Sequence, residues 1–119
     1  MLAVGEQLWD EVREILRRVA CPFGGGVGGT HEDLCGVFSG AVILAGARYG
    51  RATPGEDDKP LYAAIADLRE RFEALFGHVR CDDIRLAQPD VPKRCRPVVV
   101  EGARLVMAWF EELEQSDLG

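Results

Sequence analysis

Residues 21–40 read CPFGGGVGGTHEDLCGVFSG, and the rest of the chain is organised around this stretch. It contains two of the four cysteines, and five of the six residues from 24 to 29 are glycine. Glycine adopts backbone angles that other residues avoid but loses more chain entropy on folding, so a fixed run of glycines indicates that some group approaches the backbone closely. The stretch therefore predicts a closely approached loop beside two thiols.

The residues after the glycines predict the start of a helix. Thr30 and Asp33 have nearly the spacing of a capping box, so we expect this helix to begin at Thr30, with Cys35 one turn in. Unpaired N–H groups at a helix start stabilise negative charge. We therefore expect a lowered pKa for Cys35, which favours the thiolate that binds metals and attacks disulfides.

Apolar residues at three- and four-residue steps predict an all-α fold, a compact bundle of about four main helices. The first helix runs from Leu2 to about Ala20, where Pro22 stops it, so the glycine-rich loop lies between the first and second helices. The second helix is apolar almost all round. We expect it to be the most buried helix, flanked by the first and the last.

The second half of the chain predicts two long helices and a short one. Pro60 suits a first helical turn, and the apolar stripe from there to Phe76 ends at Gly77. The segment between Cys81 and Cys95 predicts a turn of helix followed by irregular chain, and the last helix begins near Cys95. No segment is convincing as a strand.

Composition limits the classes of function. The 119 residues, 47% of them hydrophobic, predict one domain over residues 1–119. The net charge of −6 argues against a nucleic-acid partner. The sequence has no apolar run of the roughly 18 residues that span a bilayer and no signal peptide pattern, so we expect a cytoplasmic protein without membrane insertion. In a reducing cytosol, four cysteines are more typical of metal ligands or redox thiols than of structural disulfides.

The four cysteines each lie at the edge of a predicted helix: Cys21, Cys35, Cys81 and Cys95. They have neither the two-residue spacing of a zinc knuckle or thioredoxin-type dithiol nor a haem attachment motif. Any one of these cysteines, taken alone, could instead be a buried and inert core residue. His31 lies four residues before Cys35 and could supply a nitrogen ligand, or could be a solvated residue of the first helical turn.

The sequence also resembles a family of redox-active proteins described by a C…CGAxxG…C…C pattern. The motifs that carry the resemblance are residues 23–28, the segment from Cys35 to Gly40 with Val37 where the family has alanine, residues 44–50, Cys81 and Cys95. Together they extend over residues 15–113. The resemblance implies a small helical protein whose four cysteines form a redox-active or metal-binding set, with an iron–sulfur centre as the candidate cofactor. A more distant similarity to the iron–sulfur portion of split-Soret cytochromes supports that candidate.

By this resemblance, the metal ligands are Cys35, Cys81 and Cys95. Cys21 is the candidate fourth ligand, although the family more often has a small residue at that position. The family carries its first cysteine on an additional N-terminal helix, which we expect this sequence to lack. Either Cys21 replaces that ligand or three cysteines act with a different ligand. Backbone N–H groups of the loop would stabilise negative charge on sulfur, which makes five glycines candidate cofactor contacts: Gly24, Gly25, Gly26, Gly28 and Gly29.

The leading hypothesis is a protein that holds an iron–sulfur cluster, most simply a two-iron one, for electron transfer with an unknown donor and acceptor or for redox sensing. A thiol–disulfide protein with Cys35 as the reactive thiol is the alternative, and a structural zinc module is a third hypothesis. We also expect a homodimer, because the first helix exposes apolar residues unless something covers them. These residues are Leu2, Val4, Leu8 and Trp9.

Overall fold

The computed structural model describes residues 14–88 and 95–116, and these residues form five α-helices. The helices are α1 (Glu14–Ala20), α2 (Gly36–Tyr49), α3 (Lys59–Phe76), α4 (Cys81–Ala87) and α5 (Cys95–Glu114), with a 3₁₀ turn over Cys21–Phe23. The described residues contain no strand, although Leu34 and Arg80 form an isolated antiparallel bridge. The predicted all-α fold is confirmed. None of the described helices is long and apolar enough to cross a membrane.

Helix α2 lies at the centre, as its sequence predicts. Seven of its fourteen residues are buried, and α1, α3 and α5 all pack against it. Phe38 of α2 meets Phe72 of α3 with ring centroids 5.6 Å apart. Trp109 of α5 completes the core and donates its indole N–H to the carbonyl of Ala64 at 3.2 Å, so its polar atom is satisfied.

The predicted boundaries of α1, α3 and α5 agree with the structure where residues are described. Helix α1 ends at Ala20, and α3 ends at Phe76 because Gly77 adopts φ +80° and its N–H bonds the carbonyl of Glu73. Helix α5 begins at Cys95. The beginning of the first predicted helix, with its apolar residues 2–9, lies outside the described residues.

The predicted start of the second helix is wrong. The structure begins α2 at Gly36, so Cys35 is its N-cap rather than a first-turn residue. The Thr30 hydroxyl donates to the carbonyl of Gly26 at 3.0 Å and accepts the N–H of Glu32, so it closes the glycine loop instead of capping a helix. His31 has φ +63°, which excludes it from a right-handed helix.

The segment after Cys81 also differs from the sequence prediction. Helix α4 contains seven residues, about two turns, and Cys81 is its first residue rather than part of the connection before it. Asp82 and Asp83 lie in its first turn, where the helix dipole favours acids. The irregular chain predicted near residue 91 lies outside the described residues.

Gly102 of α5 tests the packing between α5 and α2. An alanine Cβ at this position would lie 2.6 Å from Cγ1 of buried Val37. Because Val37 is β-branched and buried, Gly102→Ala should lower the free energy of unfolding by about 1–3 kcal/mol. Gly46→Ala is the matched control: its Cβ would meet no atom within 4 Å, and alanine favours a helix by about 0.5–1 kcal/mol. Urea unfolding of both variants measures the difference, and equal midpoints would contradict this packing.

Candidate metal centre

Two backbone hydrogen bonds bring Cys35 and Cys81 together. The N–H of Cys35 donates to the carbonyl of Val79, and the N–H of Cys81 donates to the carbonyl of Asp33, both at 2.8 Å. These bonds flank the antiparallel bridge between residues 34 and 80. Side chains alternate along an extended segment, so two residues that each follow a bridged residue lie on the same side of the pair. The bridge therefore directs both thiols to one side.

The glycine loop packs against this bridge through Gly26. Gly26 has φ +70°, and a Cβ there would lie 2.6 Å from the Cβ of Cys81 and 2.8 Å from the Cα of His31. A side chain at this position is therefore excluded both by backbone conformation and by space. The Asp33 N–H bonds the Gly26 carbonyl at 3.2 Å, which ties the loop to the strand-like segment that precedes Cys35.

All four cysteines line one cavity of about 410 Å³. Cys35 and Cys81 are buried at its base, whereas Cys21 and Cys95 are exposed at its rim. Four different segments supply them: the 3₁₀ turn after α1, the N-cap of α2, and the first residues of α4 and α5. The remaining lining residues are Arg17, Ala20, Gly24, Gly25, Gly36, Val37, Gly40, Ile84, Arg85, Val98 and Val99.

The structure brings only part of the predicted glycine set to the cavity. Gly24 and Gly25 line the cavity, and Gly26 packs against Cys81. Gly28 and Gly29 are exposed, and they turn the chain with φ +64° and +70°. Within the described residues, the N–H of Gly25 donates to no protein acceptor, which leaves it available to a sulfur atom in the cavity.

The four thiols surround the cavity without converging on one point. In the described parts of the chain, no three His, Cys, Asp or Glu side chains are close enough to share a single metal ion. The structure therefore places four thiols around one cavity without a ready-made site for a single ion among the described residues.

Burial opposes thiolate formation at the base of the cavity, so the predicted lowering of the Cys35 pKa is wrong. Desolvation raises the pKa of Cys35, and the N–H groups of Val37 and Phe38 only partly oppose it. The pKa of Cys81 is also raised, first by desolvation and then by nearby Cys35 and Cys95. Positive charge in the cavity would favour the thiolate form of both residues.

Two arginines that sequence analysis missed contribute to the cavity wall. Arg85 forms an ion pair with Asp82 at 2.7 Å and counteracts the raised pKa of Cys81. Arg17 lies on α1. Each is four residues from a cysteine, Arg17 before Cys21 and Arg85 after Cys81. This spacing could have indicated Arg85, which lies on helix α4 with Cys81.

His31 lies beside Cys81, not on a helix with Cys35 as its spacing predicts. Its Nδ1 atom is 3.3 Å from the Cys81 Sγ atom, and the side chain is half-buried. His78, the other histidine, is exposed. In the structure, His31 therefore contacts the sulfur of Cys81 and does not share a helix face with Cys35.

Comparison with known families assigns the chain. The model of the family described as Putative redox-active protein (C_GCAxxG_C_C) matches residues 1–109. The chain belongs to this family. The match includes all four cysteines and the glycine loop, and it extends further toward the N-terminus than the sequence motifs indicate. Neither the curated proteins nor the solved structures contain a significant match to this sequence.

The accessibility difference predicts an order of reaction. In metal-free, reduced protein at neutral pH, Cys21 and Cys95 should react with iodoacetamide before Cys35 and Cys81, because the latter pair is buried and has raised pKa values. Quenched labelling followed by peptide mass spectrometry measures the four rates, and the same experiment in denaturant is the control. Reaction of Cys35 first in folded protein would contradict the arrangement.

Proposed function

We propose that this redox-active family member holds an iron–sulfur cluster in the four-cysteine cavity and serves in electron transfer or redox sensing. The observation that carries the proposal is that Cys21, Cys35, Cys81 and Cys95 line one cavity although they are far apart in sequence. The ligand number suits a two-iron cluster, which takes four cysteine thiolates. The cluster would supply one-electron chemistry, and the chain would supply ligands, charge compensation and exclusion of water.

The chain's own residues suit these roles. Cys35 and Cys81 are held by backbone hydrogen bonds at the base, where Val37 and Ile84 limit water. Arg85 offsets negative charge on Cys81, and the exposed rim at Cys21 and Cys95 gives an electron partner a short path. The burial and solvent exposure of the ligands are among the features that set the reduction potential of an iron–sulfur cluster.

Thiol–disulfide exchange is the alternative function, favoured by the placement of Cys35 and Cys81 on one side of the bridge. Cys35 is buried and its pKa is raised, and both properties argue against Cys35 as the attacking thiol. A structural zinc site is the remaining alternative.

Metal analysis with single-cysteine variants tests the proposal. Protein reconstituted without oxygen should be brown and should carry iron and acid-labile sulfide through gel filtration. Cys35→Ser should lose both, because a hydroxyl is a poor ligand for a soft metal site. If Cys21 is also a ligand, Cys21→Ser should lose them equally.

Three outcomes distinguish the alternatives. Full iron content in Cys21→Ser would restrict the ligand set to the other three cysteines and another group. Colourless wild-type protein without iron after reconstitution would contradict the cluster. One tightly held zinc per chain would favour the structural site, and a disulfide in metal-free protein would favour exchange chemistry.

We also propose a cytoplasmic homodimer that forms partly through the first helix. Free thiols suit the reducing cytosol. In the described part of that helix, Ile15 and Val19 lie one turn apart with 60% and 44% of their surfaces exposed. Light scattering should give twice the chain mass, and Ile15→Glu should shift it toward the monomer. Arg18→Gln on the same helix is the control, because it makes the net charge more negative by the same one unit. A monomer mass for wild-type protein at micromolar concentrations would contradict the dimer.

A further inference from the structure

His31 has a strained backbone that the surrounding structure imposes. Its φ of +63° lies in the left-handed region, which few residues other than glycine enter, although asparagine, aspartate and histidine do so more often than the rest. Its N–H donates to the carbonyl of Gly25 at 2.8 Å, and its carbonyl accepts the N–H of Asp82 at 3.0 Å. Strain of this kind persists where neighbouring bonds enforce it, and it is concentrated at functional sites.

This backbone conformation carries the imidazole to the sulfur of Cys81, with Nδ1 3.3 Å from Sγ. The contact depends on Gly26, because a Cβ there would overlap both Cys81 and His31. Glycine would fit this backbone with less strain, and asparagine and aspartate enter the same region as histidine does. The backbone conformation therefore does not by itself select an imidazole, and the contact between Nδ1 and the Cys81 sulfur is what distinguishes histidine at this position.

We propose that His31 is a positioning residue that donates its Nδ1 N–H to the Cys81 sulfur whenever that sulfur carries negative charge. The hydrogen bond fixes the direction of the sulfur and withdraws charge from it. Donors to ligand sulfur raise the reduction potential of iron–sulfur clusters. This effect on potential rests on the proposed function, whereas the hydrogen bond itself is a property of the chain with or without a cluster.

Three replacements separate the hydrogen bond from the backbone strain. His31→Asn tolerates the left-handed conformation and places an amide N–H at the δ position that Nδ1 occupies. His31→Asp has the same shape and tolerance but presents oxygen, which repels a thiolate. His31→Gly removes the side chain and the strain together. His78→Asn is the control, because His78 is exposed and outside the cavity.

The first readout uses metal-free, reduced protein and the ratio of the Cys81 to the Cys35 alkylation rate at one pH. Loss of a hydrogen bond to a charged sulfur should lower this ratio about tenfold in His31→Gly and His31→Asp. His31→Asn and His78→Asn should remain close to wild type. A purely steric role predicts the opposite for His31→Gly, since a missing ring exposes Cys81 and speeds its reaction.

The second readout is the reduction potential of the reconstituted protein, which should be lower in His31→Gly and His31→Asp and near wild type in His31→Asn. Urea unfolding checks that each variant folds. If His31→Gly does not fold, His31→Asn and His31→Asp still test the hydrogen bond, because their side chains have the same shape. An unchanged or raised alkylation ratio in both His31→Gly and His31→Asp would overturn the inference, as would an equal fall in His31→Asn. Failure of wild-type protein to bind iron would overturn the proposed function but leave the alkylation result as a test of His31.

Discussion

The candidate site depends on the short backbone pairing between residues 33–35 and 79–81. Its two 2.8 Å hydrogen bonds join the end of the glycine loop to the start of α4, segments that are more than forty residues apart. The pairing also fixes where α2 and α4 begin, because Cys35 is the N-cap of one helix and Cys81 the first residue of the other. The pairing therefore joins the two segments that carry the buried thiols of one cavity.

The site places two thiols where burial favours their neutral form. The pKa values of Cys35 and Cys81 are raised by desolvation, and nearby cysteines add to the effect at both. Positive charge within the cavity opposes this preference, and Arg85 supplies part of that charge at Cys81. Metal binding would then release protons, so occupancy should fall as pH falls.

Local patterns predicted the parts of the fold that local interactions determine. The all-α class, the central α2, the end of α3 at Gly77 and the start of α5 at Cys95 follow from apolar periodicity and helix-end residues. The start of α2 could not be predicted in this way, because Thr30 has the same hydrogen-bonding capacity whether it caps a helix or closes a loop. The contact of His31 with Cys81 and the cavity itself arise from pairing between distant segments, for which the sequence contains no local pattern.

X-ray absorption at the iron edge of protein reconstituted without oxygen tests the central claim most directly, because it reports the ligand atoms of the metal in the intact chain. The proposed cluster predicts a shell of sulfur atoms at every iron and a short iron-to-iron distance, because four cysteines line one cavity and a two-iron cluster takes four thiolates. A shell containing oxygen or nitrogen, or isolated iron without a second metal nearby, would contradict it.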